Sequence, residues 1–389
     1  MIAVAPEPVA PQPDTGAEPL VAPDLLFGFW YRALPSRKVR PACMAKVTLL
    51  GLALVVGRDT QGHPFALHDA CPHRGKPLSY GWFDGETLQC SFHGWSFEPR
   101  TGQCRFVPSC TAAQQARIGN LRAGHVRCEE RDGFIWVYLP EPGRKEGAAA
   151  EEAPIPPAPA LPVFSDRYRH FCISVEAPIS ADHAVISFMD PSHGPFVHRA
   201  WWVLARVLFG AHDSVSRVDI VPIPFGFREV TGAKVKERWS ANLAGSDTVA
   251  VEVDFVLPHV RVGWHRFGKY WLSALVTVTP ITADRCRIDQ LVAWDVFRWM
   301  PFVTTVVKLI FWLFLVQDRR NLEQQAEGIG RIRRFLSIGD ADRHARWYQQ
   351  IKQAYLEARR TGGEFVHPIK GPVALQFRNA TSADILRSP

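Results

Sequence analysis

The chain has 389 residues, 47% of them hydrophobic and 21% charged, the balance of a core-forming globular protein with room for two ordinary domains. The formal net charge of +7 is spread along the chain with no block of five basic residues, which excludes a basic nucleic-acid arm. A mildly basic surface suits an acidic redox partner or an anionic membrane face instead.

Residues 1–24 hold six Pro and neither Lys nor Arg. With no basic start and no sustained apolar run they are not a secretory signal, and they read as a disordered tail. The folded pattern begins at Leu25. The aromatic cluster Phe27 to Tyr31 is expected to pack at the start of the first domain. The run Val47 to Val56, punctuated by Gly57-Arg58-Asp59 and Gln61-Gly62, predicts hairpins. Phe65 to His68 is a strand leading into a Cys/His loop, and Asp132-Gly133 opens another strand over Phe134 to Leu139. Residues 25–140 are therefore expected to form an all-β domain.

Residues 140–162 carry seven Pro among Ala, Glu and Gly, so 141–162 reads as an extended, solvated linker, long enough for the second domain, 163–389, to fold separately. In that domain strands are expected over Tyr168 to Val175, Ser216 to Val221, Val249 to Val256, Tyr270 to Thr279 and Cys286 to Asp295. Residues 300–360 predict two long helices broken at Ile338-Gly339-Asp340. The fold class is α+β: an all-β domain, then an antiparallel sheet with helices in a helix-grip-like arrangement. Arg331 to Arg360 and the tail after Gly362 are expected to supply packing and solvated surface, with no site.

Two short pieces carry metal chemistry: Cys71-Pro72-His73 and Cys90-Ser91-Phe92-His93, with sixteen residues between His73 and Cys90. Thiolate and imidazole are the donors that iron and zinc prefer. Zinc would take all four at one tetrahedral ion, but zinc ribbons and fingers pair like ligands, as C-x2-C or H-x3-H. Here each loop tip holds one Cys and one His, which suits a [2Fe–2S] cluster clamped between two loops, both Cys on one iron and both His on the other. Gly75 and Gly94 follow the His residues closely and let backbone N–H groups approach the sulfides. Cys43, Cys104, Cys110, Cys128, Cys172 and Cys286 show no metal or redox spacing and read as reduced thiols.

C-P-H-R-G followed by C-x2-H-G-W resembles the Rieske domain of Rieske non-haem iron oxygenases. The respiratory Rieske proteins carry an extra Cys in each loop; Arg74-Gly75 and Ser91-Phe92 stand there instead, so the resemblance is to the oxygenase and ferredoxin branch. It implies Cys71, His73, Cys90 and His93 as cluster ligands.

A second constellation lies downstream, in Met189-Asp190-Pro191-Ser192-His193-Gly194-Pro195-Phe196-Val197-His198. On an unbroken helix two His five apart point about 140° away from each other, but Gly194-Pro195 interrupts the helix and lets them converge. Asp190-x2-His193-x4-His198 resembles the mononuclear-iron motif of the same family. The resemblance implies a facial triad of two imidazoles and one carboxylate that leaves positions open for O₂. Asp318 is the expected third ligand, placed at the head of a helix, with Asp295 and Glu323 as alternatives. Asp190 would bridge, by hydrogen bonds, an iron ligand and a cluster His of the neighbouring subunit; its plain reading is a helix cap before Pro191. The implied assembly is a head-to-tail homotrimer. Where many relatives place Asn or Glu before the bridging Asp, this chain has Ile186 and Ser187. Asp182 or His183 could compensate, though one of them reads as a surface cap.

The chain has no G-x-G-x-x-G opening a helix after a strand, so a separate NAD(P)H-dependent flavin reductase or ferredoxin is implied. The implied activity is that of a terminal oxygenase, hydroxylating, demethylating or desaturating a large apolar cyclic substrate such as a sterol, terpenoid or polycyclic aromatic. Mono- and dioxygenation stay open. The motif is most similar to the branch containing pheophorbide and chlorophyllide a oxygenases and sterol-acting enzymes. The chain lacks the C-terminal C-x2-C of the plant members, so their substrate is not carried over.

The seventeen-residue run Met300 to Val316, with Lys308 near its middle, has three readings: a buried helix holding Asp318, a greasy helix resting on a membrane, or a span. The expected location is cytoplasmic, with peripheral membrane contact under the second reading. The alternatives from other classes are a Rieske-type redox carrier or sensor with an inactive second domain, and a zinc-stabilised binding module.

Overall fold

The structure, a computed structural model, describes residues 25–141, 157–160, 168–200, 215–234, 248–295, 300, 302–329, 331, 339–378, 380 and 384. The Pro-rich tail 1–24 and most of the linker lie outside the described residues.

The first half is built from three small antiparallel sheets. Strand β10 (Phe134–Leu139) is buried at all six positions, so it takes the centre, between β1 (Phe29–Pro35) and β9 (Cys128–Arg131). The hairpin of β2 (Cys43–Leu49) and β3 (Leu52–Arg58) turns at Leu50-Gly51. Both turn residues have positive φ, 53° and 79°, as a two-residue turn between twisted strands requires. β4 (Pro64–His68) pairs with β3 and delivers the chain to the first Cys/His loop. A ribbon of β5 (Trp82–Phe83), β6 (Leu88–Gln89), β7 (Ser96–Phe97) and β8 (Cys104–Phe106) carries the second. A one-turn helix α1 (Ala112–Gln115) follows.

The second half is one eight-stranded antiparallel sheet. In spatial order it runs β11 (Arg169–Ala177), β17 (Arg285–Trp294), β16 (Tyr270–Thr282), β15 (Val260–Phe267), β14 (Thr248–Val256), β13 (Gly226–Lys234), β12 (Val215–Ile223), β18 (Val373–Arg378). Three of these strands, β13, β15 and β18, were not expected; the first two are disguised by their own sequence. Gly226, Arg228, Glu229 and Gly232 in one, and Arg261, Gly263 and His265 in the other, break the apolar alternation that marks a strand. The tail after Gly362 is not mere surface: Val373 to Arg378 pairs with β12 and closes that edge of the sheet, which removes an exposed ladder.

Side chains alternate across the sheet. Ala274, Val276, Ile288 and Val292 face a core covered by α2 (Ala181–Met189), α4 (Val303–Ile329) and α5 (Arg343–Thr361). Leu275, Leu291, Ala293 and Val260 face the other way, onto Trp30, Phe134, Trp136 and Tyr138 of the first half. The two halves thus share a buried interface, where linker length suggested separate folding. Backbone bonds cross it, Leu50 N–H to Pro280 O at 2.9 Å and Gly51 N–H to Ile281 O at 2.8 Å. Arg32 of β1 is fully buried there, its guanidinium over Phe134 at 3.7 Å and near Asp289, whose charge opposes the loss of protonation that burial favours. The Phe27 to Tyr31 cluster belongs to this junction rather than to one domain: Tyr355 of α5 donates to Phe27 O at 2.7 Å. Ala158, in the linker, is buried and held by Glu129 and Arg131.

Candidate metal centres

The two Cys/His loops are the same turn made twice. Cys71 N–H donates to Lys76 O at 2.9 Å and Gly75 N–H to Cys71 O at 2.8 Å; Cys90 N–H donates to Trp95 O at 2.8 Å and Gly94 N–H to Cys90 O at 3.0 Å. Gly75 and Gly94 sit at φ 69° and 70°, the left-handed region that glycine enters without steric cost. Buried Asp69 braces the first loop by accepting from Ser79 N–H and Oγ, both at 2.7 Å.

In each loop the thiol points in and the imidazole out. Cys71 and Cys90 are buried, and burial together with the adjacent Cys90 thiol pushes Cys71 up to about 11. The His73 and His93 rings lie 4.6 Å apart, and His73 stacks on Trp95 at 4.6 Å with 4° between planes. Burial, then the nearby His93, holds the His73 pKa low, and its Nδ1 is buried with no hydrogen-bond partner. An orphaned buried nitrogen is costly unless something binds it. Unlike donors are neighbours in sequence, but like donors are neighbours in space. That separation into a sulfur side and a nitrogen side fits a two-iron cluster, with the Cys thiolates on one iron and the His nitrogens on the other.

The second centre is assembled from distant pieces. Helix α2 begins at the N-cap Ser180 and ends at Asp190, which turns extended (φ −71°, ψ 116°) because Pro191 disfavours α geometry before it. A single turn, α3 (Gly194–Val197), restarts with Pro in its first positions, and His193 and His198 are its two caps. The break therefore lies at 190–193, and the histidines flank one turn instead of sharing a helix. Their Nε2 atoms meet Asp318 Oδ1, His198 at 3.0 Å and His193 at 3.7 Å. The three ligand atoms lie within 4.8 Å of one another. Each ring is fixed from behind: His193 Nδ1 lies 2.7 Å from Asp190 O, and His198 Nδ1 lies 2.8 Å from Gln317 Oε1. Such outer contacts set the tautomer that turns Nε2 toward a metal. Burial opposes a charge on His198, but Asp318 and Gln317 outweigh it and raise its pKa. A metal at this point would replace that proton.

Asp318 stands in the middle of α4, not at a helix head. The alternative acids are engaged elsewhere: Asp295 accepts from Trp271 N–H at 2.8 Å, and Glu323 pairs with Arg319 at 2.6 Å. The Asp190 carboxylate accepts from Ser192 N–H at 2.7 Å, so its link to His193 runs through its own backbone carbonyl. Asp182 is not a surface cap: Tyr348 and Lys352 of α5 each reach it at 2.5 Å, and His259 lies at 3.5 Å. Gln317 and this Asp182 network escaped sequence reasoning, because nothing local marks a residue whose partner is more than a hundred positions away. Two imidazoles and one carboxylate are the donor set of non-haem iron sites.

The first centre has the donor arrangement of a Rieske domain, and residues 29–128 match the Rieske [2Fe-2S] domain family. Over 213 residues the chain is 32% identical to chlorophyllide a oxygenase of Chlamydomonas reinhardtii, covering 52% of this chain and 30% of that protein. Over 164 residues it is 27% identical to 4beta-methylsterol monooxygenase of Methylococcus capsulatus, covering 40% of this chain and 43% of that one. The chain thus spans less than half the length of these curated relatives. NdmA of Pseudomonas putida CBB5 superimposes with a TM-score of 0.67 at 20% identity, over 89% of this chain and 96% of that one; at that identity the likeness is one of fold. The resemblance to Rieske oxygenase alpha subunits holds in motif, domain and two-half architecture.

Proposed function

We propose that the protein is the terminal oxygenase component of a Rieske system, oxidising a large apolar cyclic substrate with O₂ and reductase-supplied electrons. One observation carries this reading: a chain with a Rieske domain also gathers His193, His198 and Asp318 into a three-donor group. Cys71, His73, Cys90 and His93 would hold the cluster; His193, His198 and Asp318 would hold a mononuclear iron. Such an iron supplies O₂ activation while the cluster supplies single electrons. The protein's own part is to hold the imidazoles by Asp190 O and Gln317. Asp190 is the residue we assign to the electron bridge between subunits of a homotrimer, and a separate flavin reductase or ferredoxin feeds the cluster.

A large apolar substrate is in keeping with the names of the chlorophyllide and methylsterol enzymes. Helix α4 buries Leu315 and Leu322 and exposes Val306, Leu309 and Trp312, with Phe302 just before it. Among the described residues no helix is long and apolar enough to cross a membrane, so of the three readings for 300–316 we retain a helix packed in the catalytic half whose outer face touches a lipid surface.

Iron and zinc per chain, with EPR of the dithionite-reduced protein, test the reading first. About three irons and a Rieske signal are expected. His193→Ala should lose the mononuclear iron and reductase-driven substrate oxidation while keeping the Rieske signal. Retained turnover in that variant, or a colourless zinc protein, sinks the oxygenase reading; a redox carrier would keep its electron transfer untouched.

A further inference from the structure

The inner face of the large sheet is mostly apolar; Glu229 and Thr231 of β13 and Gln290 of β17 share it with the basic residues of β15. By register Arg261 lies opposite Phe255 and Val276, Gly263 opposite Val253 and Ala274, and His265 opposite Val251 and Leu272. All six of those neighbours belong to the core under α2, α4 and α5. Arg261 and His265 therefore lie on the face of the sheet that α2, α4 and α5 cover.

Among the described residues neither side chain has a hydrogen-bond partner that fixes its tip. Arg261 Nε is buried with no acceptor, and the guanidinium lies 5.7 Å above the Phe255 ring. The acid that acts on both groups is Glu229, and its carboxylate is already 3.2 Å from His344 Nε2. Between the two basic tips stands Gly263. A Cβ there would meet His265 Nε2 at 3.3 Å and Arg261 Nη1 at 3.4 Å, so the missing side chain leaves a notch where the tips converge. Burial, then the charge of Arg261, pushes His265 down to about 4, so near pH 7 it is a neutral hydrogen-bonding group beside a single cation. A guanidinium with a buried N–H that lacks an acceptor is poorly satisfied, and a planar fork of N–H donors is matched best by a carboxylate.

We propose that Arg261, with His265 across the Gly263 notch, receives the carboxylate of an otherwise apolar polycyclic substrate. This deepens the oxygenase reading and rests on it for the word substrate. Arg261 sets specificity; it touches no reacting atom.

The test measures binding by the metal-loaded protein, without reductase and without O₂. The probes are lithocholic acid and pyrene-1-carboxylic acid, each beside its methyl ester. Wild type should bind at least one acid about tenfold or more tighter than its ester, the scale of a charge-assisted hydrogen bond. Arg261→Met should bring acid and ester to within about twofold, and Arg261→Lys should keep part of the preference. The Rieske spectrum and thermal midpoint of each variant report folding; if Arg261→Met does not fold, Arg261→Gln takes its place. Equal binding of acid and ester by wild type, binding of neither acid, or a preference that survives Arg261→Met overturns the proposal. The acid preference should persist in His193→Ala, so a failure of the oxygenase reading leaves this measurement standing.

Discussion

The two metal centres reach similar ends by opposite constructions. The proposed cluster ligands, between Cys71 and His93, sit on two copies of one turn, each closed by its own backbone bonds and each passing through a left-handed glycine. The triad runs from His193 to Asp318 and is closed only when α3 meets the middle of α4. A local site needs its turns; an assembled site needs every element that fixes one helix against another. The Asp182 network is such an element. It ties the first turn of α2, the helix leading to Asp190 and His193, to Tyr348 and Lys352 on α5 and to His259 at the start of β15. Substitutions far from the triad should therefore reach it, while the cluster loops should feel only their own turns.

The largest expected effect is at Lys352. Its ammonium is buried and bound to Asp182, and removing one partner of a buried pair costs about 3 kcal/mol or more. Lys352→Met should lower the stability of the catalytic half by that amount at pH 7 and loosen the mononuclear iron, with the Rieske spectrum unchanged. Burial tends to raise the Asp182 pKa, but His259 and then Lys352 outweigh it and hold it well below the usual carboxylate range. A depressed carboxylate contributes stability above its unfolded pKa of about 4, and loses it as pH falls toward the folded value. The gap between wild type and variant should thus be constant from pH 7 to about 5 and shrink below 4. Chemical denaturation at three pH values checks this; loss of the cluster together with the iron would break the contrast between the two centres.

That contrast also explains which ligands are legible in the sequence. Cys71, His73, Cys90 and His93 stand within one short stretch, so donor type and spacing display the whole ligand set. His193 and His198 are visible as a pair, but Gly194-Pro195, expected to break a helix between them, lies inside α3, and the break falls at 190–193. Asp318 had to be chosen among acids, because its role depends on where a long helix docks, and the expectation that it heads that helix failed for the same reason. Gln317, the Lys352 anchor and the edge strand Val373 to Arg378 have only distant partners, so periodicity and spacing are silent about them. β15 was hidden by Arg261, Gly263 and His265, whose polarity disguises a strand that faces a core.

A smaller effect is expected at Gln317. Its Oε1 holds His198 Nδ1 at 2.8 Å, and outer-shell partners of this kind are typically worth about ten- to a hundredfold in metal affinity. Gln317→Leu keeps the helix and the approximate volume but removes the acceptor. Iron affinity, measured by competition with a chelator, should fall by about tenfold or more, with stability and the Rieske signal unchanged. An unaltered affinity would mean that the triad is held by its own ligands alone, as the cluster is.

The smallest effect discriminates between the two copies of the cluster turn. Gly75 and Gly94 share φ near 70°, so an alanine at either should cost about 1 kcal/mol of left-handed strain. Their surroundings differ. A Cβ at Gly75 meets nothing within 4 Å, whereas one at Gly94 would come within 2.9 Å of Pro108 Cγ. The proline ring is stiff and cannot swing aside as a flexible side chain would. Gly94→Ala must therefore also displace the Pro108 segment, and its total cost should exceed that of Gly75→Ala by about 1 kcal/mol. Thermal midpoints and the half-life of the visible cluster absorption should rank wild type above Gly75→Ala, and Gly75→Ala above Gly94→Ala, with the mononuclear iron retained in both. Equal costs would show that the turns are governed by backbone strain alone; a reversed order would mean that the first loop, and not the second, is the tighter clamp.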